Sequence, residues 1–190
     1  MKDYSLLGIS GSLRSDATNR KLIREASRFF APADYVEADI QMPLYNADAE
    51  ERHGIPSEVT LLSKQIAAAD AVVVSTPEYN KGPSGALKNA FDWLSRAQGS
   101  PLKGKPVAVM SASAGRAGGE RAQTILRNFL VPFRPRILQG PELHVASCTN
   151  EFDDNDELCN PLYIDCLREL MQILRQEVDL VKMTETARVA

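Results

Sequence analysis

The run Gly8-Ile9-Ser10-Gly11-Ser12-Leu13-Arg14-Ser15-Asp16-Ala17-Thr18-Asn19 sets glycines, hydroxyls, an amide and a guanidinium between an apolar segment and an amphipathic one. Such residue types hold anions. Gly8 and Gly11 permit close backbone approach, Ser10, Ser12, Thr18 and Asn19 offer side-chain hydrogen bonds, and Arg14 adds a permanent charge. At the start of a helix, unpaired N–H groups and the helix dipole favour the same guest, and a phosphate monoester fits best. A capped helix start with polar decoration is the competing reading. The P-loop pattern and G-x-G-x-x-G are both absent. Gly8 to Ser12 resembles a nucleophile elbow but carries serine where that motif needs its second glycine.

Two further stretches carry unusual residues. Thr76-Pro77-Glu78-Tyr79-Asn80-Lys81-Gly82-Pro83-Ser84-Gly85 is rich in proline and glycine, and reads as a rigid turn offering main-chain groups to the edge of a flat heterocycle such as a flavin. Tyr79 and Asn80 add a contact surface, although a loop tyrosine packed on a sheet edge is the plainer role for Tyr79. Ser111 to Glu120 holds Ser113, Gly115, Gly118 and Gly119, with little bulk beside a bound ring. Those glycines also suit a simple helix start, and Arg116 reads as a solvated loop arginine.

Elements that alternate strand and helix must position these stretches. Residues 4–10, 35–40, 70–77, 105–113 and 136–146 read as strands, the last broken at Gly140-Pro141. Residues 18–31, 57–69, 85–97, 119–131 and 161–181 read as helices, and 41–56 as a long polar loop that is a candidate cover for the site. Near-continuous apolar strands imply a parallel sheet covered by helices on both faces. Five strands and five helices in 190 residues suit a single domain, residues 1–190, with a flavodoxin-like doubly wound α/β fold and strand order 2-1-3-4-5. In such sheets ligands sit beyond the carboxyl ends of the strands, where all three stretches fall.

Composition narrows the classes. A net charge of −3 speaks against nucleic-acid binding, and no apolar run is long enough for a membrane span or signal peptide, so a cytoplasmic protein is expected. Cys148, Cys159 and Cys166 show no C-x-x-C spacing and read as buried free thiols. His53 and His144 are the only histidines and lie in no metal-ligand pattern, so neither a triad nor a metal site is expected.

The first two stretches together resemble the NAD(P)H-dependent FMN reductase family, whose members read G-S-L-R-x-x-S-x-N and P-E-Y-N-x-S-x-P-G-x-L-K-N-A-[IF]-D-W. This chain has GSLRSDATN at 11–19 and PEYNKGPSGALKNAFDW at 77–93. The resemblance implies FMN as cofactor, NADPH or NADH as co-substrate and a homodimer or homotetramer with helices such as 85–97 packing between subunits. It implicates Ser12, Arg14 and Asn19 at the phosphate, and Pro77, Glu78, Tyr79 and Asn80 along the isoalloxazine. Arg121 and Gln123 match an arginine and a glutamine that follow the third stretch. Three positions depart from the pattern: Ala17 stands where a serine is usual, with Thr18 beside it, and Gly82 and Ser84 replace a serine and a proline.

The expected activity is ping-pong hydride transfer from NAD(P)H through the flavin N5 to a quinone, azo compound, flavin or similar small acceptor. No catalytic side chain is named, because the cofactor carries the chemistry. A flavodoxin-type electron carrier without substrate turnover is the alternative, and a flavin-free interaction domain a more distant one. Trp93, at helical spacing from Asn89 and Ala90, reads as a core or interface residue.

Overall fold

The central strands are apolar along most of their length and turn to hydroxyls at their carboxyl ends: Ser10, Ser75-Thr76 and Ser111. A computed structural model describes residues 3–189 and pairs these strands side by side. Strands β1 (Ser5–Ser10), β2 (Asp34–Ala38), β3 (Ala71–Thr76), β4 (Pro106–Ala112) and β5 (Arg136–Ile137) form a parallel sheet in the order β2-β1-β3-β4-β5, the flavodoxin-like order. A short sixth strand, β6 (Leu143–Val145), continues along β4 beyond the cis Gly140–Pro141 bond, so the expected fifth strand is indeed in two pieces.

Strand alternation sends side chains to two layers. Leu6, Val73, Ala108 and Met110 meet helices α1 (Thr18–Phe30) and α6 (Pro161–Val189) on one face. Leu7, Ile9, Val72, Val74, Val107 and Val109 meet α3 (Ser57–Ala68), α4 (Gly85–Leu94) and α5 (Glu120–Leu130) on the other. Leu22, Ile23, Ala26 and Phe30 form the buried stripe of α1, as the sequence predicts, and truncating one such leucine would cost about 2–5 kcal/mol. Trp93 is likewise in the core.

The polar loop 41–56 is corrected by a short helix, α2 (Ala47–His53), which buries none of its residues and so leaves no apolar period to read. It stands on a cap and on charge: Asn46 Oδ1 accepts from the Asp48 N–H at 2.9 Å, acidic residues lie in its first turn and Arg52 and His53 in its last. Helix α4 stops at Leu94 rather than residue 97, and α6 runs eight residues past the expected 181, with Met183 to Ala187 exposed. All three cysteines are free, but only Cys148 is buried; Cys159 is exposed and Cys166 half-buried, since their segment lies over the surface. Among the described residues no helix is long and apolar enough to cross a membrane.

Candidate functional site

The loops after β1, β3 and β4 meet at the carboxyl end of the sheet around a groove of about 380 Å³. Its first wall is residues 11–19. The Gly11 N–H donates to Ser75 O at 2.7 Å, and a Cβ there would lie 3.0 Å from the Pro77 ring, so glycine lets the two strand ends close. Ser10 is buried beneath this turn, its hydroxyl paired with the backbone of Ser12, and does not line the groove. Ser12 and Arg14 do, and no ion pair among the described residues engages the exposed Arg14. Ala17 is the N-cap of α1 and supplies no side-chain cap, so the amino end of that helix faces the groove without one.

Asn19 has another task as well. Buried at the wall, it accepts from the Ser75 hydroxyl (2.7 Å) and the Ala112 N–H (3.0 Å) through Oδ1, and its Nδ2 donates to Ala112 O (2.9 Å). One amide thus ties α1 to β3 and β4. Thr18 Oγ1 lies 3.2 Å from Cys148 Sγ.

In the second wall, Tyr79 and Gly82 exchange backbone hydrogen bonds of 2.8 and 3.1 Å around Asn80 (φ +50°) and Lys81 (φ +68°). Two left-handed residues make this a tight primed turn. The conformational demand therefore falls on Asn80 and Lys81, not on Gly82 and Gly85 as composition suggests. Pro77, Glu78 and Tyr79 line the groove, whereas Asn80 projects at the tip of the turn outside its lining. Glu78 turns toward α5: Oε2 accepts from the Ala122 N–H at 3.3 Å and Oε1 lies 3.8 Å from Arg121. It thereby caps a helix whose own N-cap, Gly119, cannot. Ser84 caps α4, accepting from the Leu87 N–H at 3.1 Å, while its hydroxyl donates to the Gly11 carbonyl. This departure from the family pattern is thus a clasp between the first two walls.

The third wall is Ala112, Ser113 and Ala114. Gly115 stands outside the lining; its carbonyl takes the N–H groups of Gly118 (3.2 Å) and Ser147 (3.3 Å). Gly118 (φ +60°) and Gly119 (φ +94°) are required by packing, because a Cβ would come within 2.5 Å of His144 O and 2.7 Å of Ser111 Cβ. Gln123 is buried and donates to Ser111 Oγ (3.0 Å) and Leu143 O (2.6 Å).

Eight of the eleven expected residues therefore converge: Ser12, Arg14, Thr18, Asn19, Pro77, Glu78, Tyr79 and Ser113. Sequence reasoning did not single out Asp16, Lys21, Cys148 or Thr149 as lining residues. Lys21 was one helical turn from Thr18 and legible on that spacing, whereas Cys148 and Thr149 arrive through tertiary packing alone. The Asp156 carboxylate, 2.5 Å away, raises the Lys21 ammonium above its ordinary pKa against a smaller opposing effect of burial, with help from Asp16 at 3.3 Å.

Residues 4–150, which contain all three walls, match the family model described as NADPH-dependent FMN reductase. The chain belongs to that family. This FMN reductase family member is accordingly an oxidoreductase, with FMN as its cofactor and NAD(P)H as its co-substrate. It is 44% identical over 180 residues to an NAD(P)H-dependent FMN reductase of Pseudomonas aeruginosa, covering 94% of this chain and 95% of the relative. It is 40% identical over 147 residues to a quinone reductase of Escherichia coli, covering 75% and 78%. The solved structure of FerB, a flavoenzyme NAD(P)H:(acceptor) oxidoreductase from Paracoccus denitrificans, superposes with a TM-score of 0.81 at 28% identity, over 93% of this chain and 97% of that one.

Proposed function

We propose that this reductase holds FMN in the groove between the three walls and turns over by a ping-pong cycle. In that cycle it oxidises NAD(P)H and reduces a quinone or a similar two-electron acceptor, such as an azo compound or free flavin. The observation that carries the reading is the amino end of α1: no side chain caps it, and it opens beside the Ser12 hydroxyl and the unpaired Arg14 guanidinium. These groups fit a phosphate, since backbone N–H groups, a hydroxyl and a fixed positive charge converge where a neutral loop would have closed the helix itself. Thr18 supplies the hydroxyl that Ala17 lacks.

FMN bound there would supply the hydride chemistry that links NAD(P)H oxidation to reduction of the acceptor. The chain's own residues bind and orient. Ser12, Arg14 and Thr18 hold the phosphate, and Asn19 keeps their loop in register with β3 and β4. Pro77 and Tyr79 wall the ring end, and Ser113 bounds the opposite side. Glu78, engaged with α5, fixes the spacing of the second and third walls. No acid–base side chain is required, and reactant positioning is the protein's main contribution. The 190 residues act as one domain. We further propose a homodimer or homotetramer formed through α4, beside which an open groove of about 480 Å³ is floored by Phe91, Phe129 and Phe133.

The name of the Escherichia coli relative supports quinones as acceptors. The purified protein should be yellow, should bleach when NADPH is added without oxygen, and should regain its colour when a quinone follows. A colourless protein that takes up no FMN would contradict the proposal. A yellow protein that NADPH cannot bleach would return it to the electron-carrier class.

A further inference from the structure

We infer that residues 148–158 form a fourth wall that closes the groove at its phosphate end, and that Lys21 is the positioning residue that ties this wall to the phosphate loop. The inference rests on the reading of the groove as the FMN site.

The segment starts at the third wall and crosses to the first. The Cys148 N–H donates to Ser113 O at 3.1 Å, and Cys148 and Thr149 line the groove. The chain then folds back on itself. Glu151 O accepts from the Cys159 N–H at 2.9 Å, and Phe152 bridges Leu158. Asp153 Oδ1 accepts from the Asn155 and Glu157 N–H groups, each at 2.9 Å.

One face of α1 receives this loop. Thr18, Lys21 and Glu25 are spaced three and four apart and so stand in line along the helix. Thr18 Oγ1 meets Cys148 Sγ at 3.2 Å, the Lys21 ammonium meets Asp156 at 2.5 Å, and Glu25 Oε2 accepts from the Leu158 N–H at 3.2 Å. Glu25 is buried, with Arg28 bonded to both of its oxygens at 2.8 and 2.9 Å. A buried carboxylate is costly unless paired, and this one fixes the backbone of a surface loop. Lys21 also reaches Asp16 of the first wall at 3.3 Å, so one ammonium joins the phosphate loop to the fourth wall.

Two of these contacts bear on phosphate directly. A threonine hydroxyl has one proton, and the oxygens of a phosphate dianion only accept. When Thr18 donates to phosphate it must accept from Cys148, so the thiol is the donor that sets the direction of the hydroxyl. Lys21 lines the groove between Asp16 and Asp156 and offsets two carboxylates that would otherwise repel a phosphate there.

The test loads the enzyme with FMN or with riboflavin, dilutes it, and follows flavin release by the recovery of flavin fluorescence. For Asp156→Asn, charge and wall forecast opposite results. Asparagine tolerates the left-handed backbone of this position (φ +66°) and removes a negative charge from the phosphate end. By charge alone the variant holds FMN longer. By loss of the tie to Lys21 it releases FMN about threefold to fivefold faster, with a smaller effect on riboflavin. Lys21→Met, which severs the tie and leaves both carboxylates unbalanced, should release FMN about tenfold faster. Cys148→Ala should speed FMN release about threefold, and Cys148→Ser, which keeps a donor, should restore it. FMN release from Asp156→Asn at or below the wild-type rate overturns the wall, even if faster amide exchange in residues 153–158 shows that the loop has loosened. Wild-type release from Lys21→Met overturns the positioning role, and equal release from the two Cys148 variants overturns the donor role. Equal release of FMN and riboflavin by the wild type would instead strike the phosphate reading on which all three depend.

Discussion

The two ends of this sheet differ in what they leave open. At the amino end the polar groups around Asp70 and Lys105 close on protein. Asp70 accepts from the Ser5 N–H at 2.8 Å and pairs with Lys182 at 2.8 Å, and Lys105 reaches the carbonyls of Ala67 and Ala69 at the end of α3. At the carboxyl end the framework is closed just as firmly, by Asn19, Ser84, Glu78 and Gln123, yet Arg14 and the first turn of α1 are left facing a groove. Polar residues alone therefore do not mark a site. What marks it is donor capacity left over after the scaffold has been satisfied.

Breaking the closed framework at the carboxyl end should have the largest effect. Asn19→Ala leaves the Ser75 hydroxyl and both polar groups of Ala112 without their partner, and should lower stability by about 3 kcal/mol as well as weaken FMN binding. Urea denaturation of the protein with and without FMN would separate the two losses. Arg14→Ala should instead leave the stability of the FMN-free protein within about 0.5 kcal/mol of wild type, because this exposed side chain supports no packing. Its loss should fall on affinity for FMN, weakened roughly tenfold to a hundredfold in a fluorescence titration.

These two residues also show what the sequence could reveal. Arg14 and Asn19 were both legible as polar residues of an anion loop; the apolar strands followed from hydrophobic pattern, the break from the Gly140-Pro141 pair itself, and the strand order from five strands alternating with five helices in a chain of this length. The division of labour did not. Ser10, Asn19 and Glu78 are all polar groups near the carboxyl end of the sheet, and only their partners show that they brace the site: the Ser12 backbone, the Ala112 backbone and the start of α5. The segment 41–56 was illegible because α2 buries no residue and its anchors, Asn89 and Trp93, lie more than forty positions away. Cys148 and Thr149 enter the groove for the same long-range reason.

Smaller changes sharpen the contrast between the ends. Ala17→Ser restores a hydroxyl at the bare N-cap of α1, and should stabilise the FMN-free protein by about 1 kcal/mol in thermal denaturation. At the amino end, Asp70 is held below its usual pKa: partial burial pushes it up, but Lys182 and the Ser5 N–H outweigh that effect. A depressed carboxyl pKa stabilises above the unfolded-state value and the benefit is lost as pH falls through the folded-state value. Asp70→Asn should therefore cost about 0.5–1 kcal/mol at neutral pH once solvent screening is counted, a difference that fades on acidification, with FMN affinity untouched.

The central claim is that the loop after β1 grips a phosphate, and comparing FMN with riboflavin tests it most directly. FMN should bind the wild type about a hundredfold more tightly than riboflavin, a gap of about 2.7 kcal/mol that Arg14→Ala should narrow by roughly tenfold. Equal binding of the two flavins by the wild type, or a gap that Arg14→Ala leaves intact, would contradict the account.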